Sequence, residues 1–194
     1  MSPNNSLSVR DQIIQTASRL FLTQGYNQTG INQIIEEAGI AKASLYYHFS
    51  SKEDLCVEYL RNRAKIWREG LENYLTNITD PRERIIGTFD YRKKFMEESR
   101  FNGCSYIRIV SEIPQEDNKV HQQAVAIKEM HRAFFQENAE QIEGITAEEK
   151  TDLANTLLLL FDGGSIECMI YKNSEPLIDA KKAVIAALKS LRSF

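Results

Sequence analysis

Cysteine is scarce in this chain: Cys56, Cys104 and Cys168 lie far apart, odd in number and with no Cys-x-x-Cys pair. That excludes a disulfide framework and a cysteine-based zinc site, and it implies a reduced, cytoplasmic protein. Histidine is equally sparse. His48, His121 and His131 stand at no metal-ligand spacing, and there is no phosphate-binding glycine loop, His-Glu-x-x-His pair or nucleophile elbow. No enzyme chemistry, metal or cofactor is therefore expected. Long apolar runs are missing too. The longest run of large apolar residues, Leu157 to Phe161, falls far short of the roughly 20 residues that cross a bilayer, so no membrane span is expected. The opening MSPNNSLSVR has no apolar core behind a basic start and reads as a lead-in rather than a secretory leader.

What is present is ordinary material for a buried core: 42% of the 194 residues are apolar. The formal net charge of -3 argues, taken alone, against a nucleic-acid partner. Its distribution changes the argument. Residues 1–65 hold seven Lys or Arg against six Asp or Glu, so the acidity belongs to the remainder. Lys42, Lys52, Arg61, Arg63 and Lys65 cluster in the first part. For the last three, a solvated mixed face is the plainer reading.

Helical spacing dominates the pattern. Ser8 can cap a helix with Val9, Ile13, Ala17, Leu20 and Phe21 on its inner side, closed by Gly25. Ser50-x-x-Glu53 has the form of a capping box opening a long helix through Leu55, Tyr59, Trp67 and Leu71. Asp80-Pro81-x-Glu83 starts another, running to about Glu98, and Gly103 opens a short one that ends before Pro114. Val120, Ala124, Ile127, Met130, Phe134 and Phe135 mark a further long helix. Thr146-x-x-Glu149 and Ser174-Glu-Pro176 introduce the last two. No segment alternates with a period of two, so the fold class expected is all-α, with about nine helices.

The segment Thr29 to Lys52 carries the functional signal. Ile31, Ile34, Ile35 and Ala38 recur at helical intervals, as do Leu45 and Phe49, and Gly39 sits where a chain turning sharply between two helices needs a left-handed residue. With Leu45 and Phe49 inward, Lys42 with Tyr46 and Ala43 with Tyr47 form two rows on the opposite side. This is the layout of a helix-turn-helix DNA reader. Lys42 can donate to guanine or phosphate, Ala43 can meet a thymine methyl and Ser44 can bond either strand. Tyr46, Tyr47 and His48 offer donors at the height of the phosphates, which set register without reading sequence. The plainer alternative makes the tyrosines half-buried packing residues with wet hydroxyls.

Residues 10 to 55 resemble the DNA-binding domain of the TetR family of bacterial transcriptional regulators. The likeness rests on an opening amphipathic helix, Phe21, Gly25-Tyr26, Thr29, Ala38-Gly39-Ile40, Lys42, Leu45-Tyr46, His48-Phe49, Ser51-Lys52-Glu53 and Leu55. One departure is Ala43, where the family very often has Gly. The resemblance implies phosphate contacts from Thr29 and Lys52 at two helix starts, and a recognition surface from Lys42 to His48.

It further implies a three-helix reader in residues 1–50 and a helical effector-binding and dimerisation domain in residues 51–194. The last two helices would pair two copies into a four-helix bundle. Their broad apolar stripes, with Ile178, Ile185 and Ala187, and the small residues Gly163, Gly164 and Ser165 suit that role. A small-molecule cavity is implied among the middle helices of that second domain. Its candidates are Trp67, Phe89, Phe95, Tyr106, Arg108, His131, Phe134, Phe161, Glu167 and Tyr171, aromatic walls with a few polar handles. Cys104 or Cys168 is a candidate thiol switch. The expected function is thus a dimeric repressor of a palindromic double-stranded DNA operator, released by an unidentified small molecule. The alternatives are a constitutive repressor and a helical scaffold that binds protein.

Overall fold

The computed structural model describes residues 7–102, 105–113 and 118–191. Among them the chain forms nine helices and no strand: α1 (Val9–Gln24), α2 (Ile31–Ala38), α3 (Lys42–His48), α4 (Lys52–Tyr74), α5 (Pro81–Glu98), α6 (Ser105–Glu112), α7 (Lys119–Glu140), α8 (Ala147–Tyr171) and α9 (Glu175–Ser190). The all-helical expectation holds. Gly103, Cys104 and Pro114 lie outside the described residues. Packing divides the chain into two compact units, one made of residues up to 64 with 105–125, the other of 65–104 with 126–194. By compactness, therefore, α6 groups with α1, α2 and α3.

In the first unit α1 packs on α2 and α3. Ile13, Ala17, Leu20 and Phe21 of α1 are buried with Ile34, Leu45, Leu55 and Tyr59, and the Phe21 and Tyr59 rings meet at 5.6 Å. Each such Ile, Leu or Phe side chain, fully buried, contributes roughly 1.5–3 kcal/mol. Val9 is the exception, 41% exposed, because α1 begins there and its first turn stands outside the core.

The helix ends follow local hydrogen-bond chemistry. Ser8 caps α1, Asp80 caps α5 through the amides of Arg82 and Glu83, and Thr146 with Glu149 forms a reciprocal box on α8. Two helix starts differ from the expected ones. The residue capping α2 is Gly30, since the Thr29 hydroxyl instead donates to the Gly25 carbonyl at 2.6 Å. The start of α4 is capped by Ser51 with Asp54 rather than boxed by Ser50 with Glu53: Ser51 Oγ accepts from the Asp54 amide at 3.0 Å and donates to its carboxylate at 2.9 Å.

In the second unit α9 packs on α8 and α5 around Phe89, Phe135 and Phe161, whose ring centroids lie 5.8–6.2 Å apart. A Cβ on Gly164 would stand 3.1 Å from Leu177 and 3.2 Å from the Ala180 methyl, so this glycine sets how closely α8 approaches α9. α8 is long and apolar enough, by length and composition, to cross a membrane, which the run from Leu157 to Phe161 alone does not reveal. Here it is a core helix. Leu153, Ala154, Leu157, Leu158, Phe161, Gly164, Ser165 and Cys168 are all buried inside the unit.

Candidate nucleic-acid interface

The turn between α2 and α3 is made by Gly39 at φ 64° and ψ 35°, with its amide donating to the carbonyls of Glu36 and Ile35. A left-handed residue there ends α2 and lets α3 begin three residues later. Leu45, wholly buried, and Phe49, 5% exposed, then hold one side of α3 against the core. The other side is open. Lys42, Ala43, Tyr46 and Tyr47 are exposed, Tyr47 to 85%, while Ser44 and His48 are half-buried. The His48 ring packs edge-on against Tyr47 at 5.0 Å.

Thr29 stands apart from this surface. It is fully buried and tied by its hydroxyl to the end of α1, so its role in the structure is to fix the turn that leads into α2. Lys52 stands at the first position of α4, with Nζ 4.1 Å from the centroid of the Tyr26 ring. Burial lowers the lysine below its usual range and pushes the Tyr26 hydroxyl up to about 12.

Beside α3 lies a hollow of about 440 Å³, bounded by Arg10, His48, Asp54, Glu58, Arg61 and Lys119 among others. Its charges are mostly paired. Arg10 meets Glu58 at 2.9 Å, and Lys119 Nζ meets Asp54 at 2.7 Å, with the Lys119 amide donating to Glu53. The hydrogen bonds from Lys119 and Ser51 hold the Asp54 carboxyl below the usual carboxylate range. Arg61 Nε donates to Gln123 Oε1 at 2.9 Å.

α6 fastens the same unit from another side. The Asn27 amide donates to Glu112 Oε2 and its side-chain amide to the Glu112 carbonyl, each at 2.8 Å. Arg108 Nη1 donates to the Leu22 carbonyl at 2.9 Å. A Cβ on Gly25, at φ 92°, would fall 2.5 Å from Glu112 Oε1.

The ten effector candidates separate. Trp67, Phe89, His131 and Phe161 are buried in the second unit, with Phe95 and Phe134 packed against that core. Tyr106 and Arg108 belong to the first unit, where Arg108 secures α1. Glu167 is exposed and Tyr171, at the end of α8, is 64% exposed. Burial of the Cys168 thiol raises its pKa, against the low value a reactive thiol needs.

Reading by residue type passed over Arg92, 4% exposed on α5. Its Nε donates to Ser165 Oγ at 2.9 Å, and its guanidinium lies over the rings of Phe161 and Phe95. The signal was in the spacing: Ile85, Phe89, Arg92 and Met96 form one buried stripe, and a charge on such a stripe calls for a partner.

The comparisons agree with this geometry. Residues 13–59 match the family described as bacterial regulatory proteins, tetR family. Over 182 residues the chain is 27% identical to the HTH-type transcriptional regulator LmrA of Bacillus subtilis, covering 93% of this chain and 96% of that one. It is 32% identical over 120 residues to the HTH-type transcriptional repressor KstR2 of Mycolicibacterium smegmatis, covering 60% and 58%. The fold superposes on the crystal structure of SCO4454, a TetR-family transcriptional regulator from Streptomyces coelicolor, with a TM-score of 0.86, 22% identity and coverage of 94% and 95%.

Proposed function

The chain belongs to the TetR family of bacterial transcriptional regulators, and we propose that two copies grip one DNA duplex, each laying α3 in the major groove. The observation that carries this reading is the two-sidedness of α3: Leu45 and Phe49 lock one flank, while Lys42, Ala43, Tyr46 and Tyr47 are left facing water. Lys42 and Ala43 meet base edges, and the tyrosine hydroxyls meet phosphates.

Pairing of the copies falls to α8 and α9. Leu159, 73% exposed, and Ile170, 61% exposed, share a face of α8 with Gly163, beside which a Cβ would find nothing within 4 Å. Such a face is covered by a second copy, and the small residue permits close backbone approach. A two-fold pair would present the readers to half-sites roughly 34–36 Å apart, matching a palindromic operator.

Regulation works through a small molecule bound among the helices of the second unit. α4 continues from residues of the first unit into residues of the second, which makes it the rod through which occupancy changes the spacing of the readers. The ligand acts only by its preference for one of the two states, a coupling of roughly 1–3 kcal/mol, and the outcome is loss of repression. The name of KstR2 as a repressor supports that sign.

The test is equilibrium binding of the purified chain to duplex DNA from beside its own gene, over a salt series, with sedimentation to count chains per duplex. Two chains per duplex and affinity that falls steeply with salt are expected. No duplex binding at low salt would favour the protein-binding scaffold.

A further inference from the structure

Among the described residues, two buried donors of the second unit lack acceptors: Arg92 Nη2 and Trp67 Nε1. Both side chains pack on the same ring, the Arg92 guanidinium 5.3 Å and the Trp67 ring 5.9 Å from the Phe161 centroid. Ser165 cannot supply more. Its hydroxyl already accepts from Arg92 Nε and donates onward to the Phe161 carbonyl.

The neighbouring ionisable groups His131 and Asp162 supply no free negative charge. His131, 4.4 Å from Trp67 and 5.6 Å from Phe161 by ring centroids, is kept neutral by burial and by the nearby cations Arg92 and Lys128. Asp162 is paired with Lys128. Water-exposed arginine would be satisfied by solvent; at 4% exposure this one is not. A buried cation and an indole N–H, both short of acceptors and walled by aromatic rings, ask for a ligand that brings acceptor oxygens on an apolar body.

Resting on the effector reading above, we propose that the second unit takes a small apolar carboxylic acid as its anion, the carboxylate receiving hydrogen bonds from Arg92 and Trp67 while its body lies against Phe161 and Phe95. Arginine presents paired N–H groups in the geometry that a carboxylate accepts, and such charge-assisted bonds are stronger than neutral ones. A cationic effector is disfavoured because Arg92 would repel it.

Trp67 is the single tryptophan of the chain, so its fluorescence reports from the site itself. The experiment titrates the full-length protein with benzoate, cyclohexanecarboxylate, 2-naphthoate and octanoate, each beside its neutral carboxamide. At least one acid should change the emission saturably and bind about tenfold more tightly than its amide. Arg92→Met should erase that acid-over-amide preference. Arg92→Lys, which keeps the charge and loses the fork, should reduce it severalfold, and it serves if the Met variant does not fold. Equal binding of acid and amide, or no response to any acid at millimolar concentration, overturns the proposal. DNA binding is measured separately with the same compounds. An acid that binds by fluorescence yet leaves DNA affinity unchanged would overturn the effector reading while leaving the carboxylate site standing.

Discussion

Lys52 Nζ lies 4.1 Å from the centroid of the Tyr26 ring, so the first residue of α4 is held on the residue that follows the glycine ending α1. The cation is thereby positioned rather than free to sweep. If it meets a phosphate in the complex, Lys52→Met should reduce the slope of log affinity against log salt by about 0.9, the contribution of one neutralised phosphate. Tyr26→Leu should leave the slope in place while weakening binding, because the ammonium loses its rest. Equal slopes for wild type and Lys52→Met would remove Lys52 from the interface.

Tyr47 has 85% of its surface in water, and Lys42 is exposed beside it in the neighbouring row. Replacing either with Ala should weaken specific DNA binding by roughly 1–3 kcal/mol with no change in the unfolding midpoint. Leu45→Ala makes the contrast: a wholly buried leucine is lost, and stability should drop by about 2–5 kcal/mol. Paired DNA titrations and urea melts separate the two effects. Unaltered DNA affinity in both exposed variants would mean that another surface does the reading.

Glu112 anchors the turn between α1 and α2 from α6. Glu112→Ala should leave the exposed Asn27 amide to water, at a cost of about 0.5–1.5 kcal/mol to the first unit. Amide exchange at Asn27 should quicken and DNA binding weaken. Exchange at the wild-type rate would show that water replaces the carboxylate without loss.

His131 gives a pH prediction with a definite sign. Burial lowers its pKa from 6.5 to about 3. Above pH 6.5 the folded and unfolded chains are both neutral at this residue and nothing changes. Below it the unfolded chain takes up a proton that the folded chain refuses until about pH 3, so stability falls with pH across that window, by up to about 1.4 kcal/mol per unit. Urea midpoints between pH 7.5 and 4.5 should fall less in His131→Gln than in wild type. Parallel curves would assign the loss to other groups.

Much of the architecture was legible because periodic side chains and caps are local signals. Leu45 and Phe49 at a spacing of four, Gly39 in the left-handed region, the cap at Asp80 and the box at Thr146 all stand where the pattern puts them. Two helix starts are less legible. Adjacent Ser50 and Ser51 offer equivalent caps in sequence, and only the Asp54 amide selects Ser51, while Thr29 stands beside the start of α2 and turns its hydroxyl back to the Gly25 carbonyl instead. The same holds farther apart in the chain. Nothing in the composition of α6 says that Arg108 reaches Leu22, 86 residues away, rather than a ligand. Arg92 was available to spacing but not to residue type, since one arginine in a helix with several charges looks like surface until the stripe is drawn.

α8 is greasy enough to be mistaken for a bilayer helix, yet it is covered in part by α9, which comes after it in the chain. During synthesis the side of α8 around Gly164 and Cys168 therefore stays bare until residues 175–190 have left the ribosome. A stop codon or a slow stretch near residue 174 would then deliver a sticky, half-dressed product, to be met by chaperones, proteases or lipid before any partner copy is found.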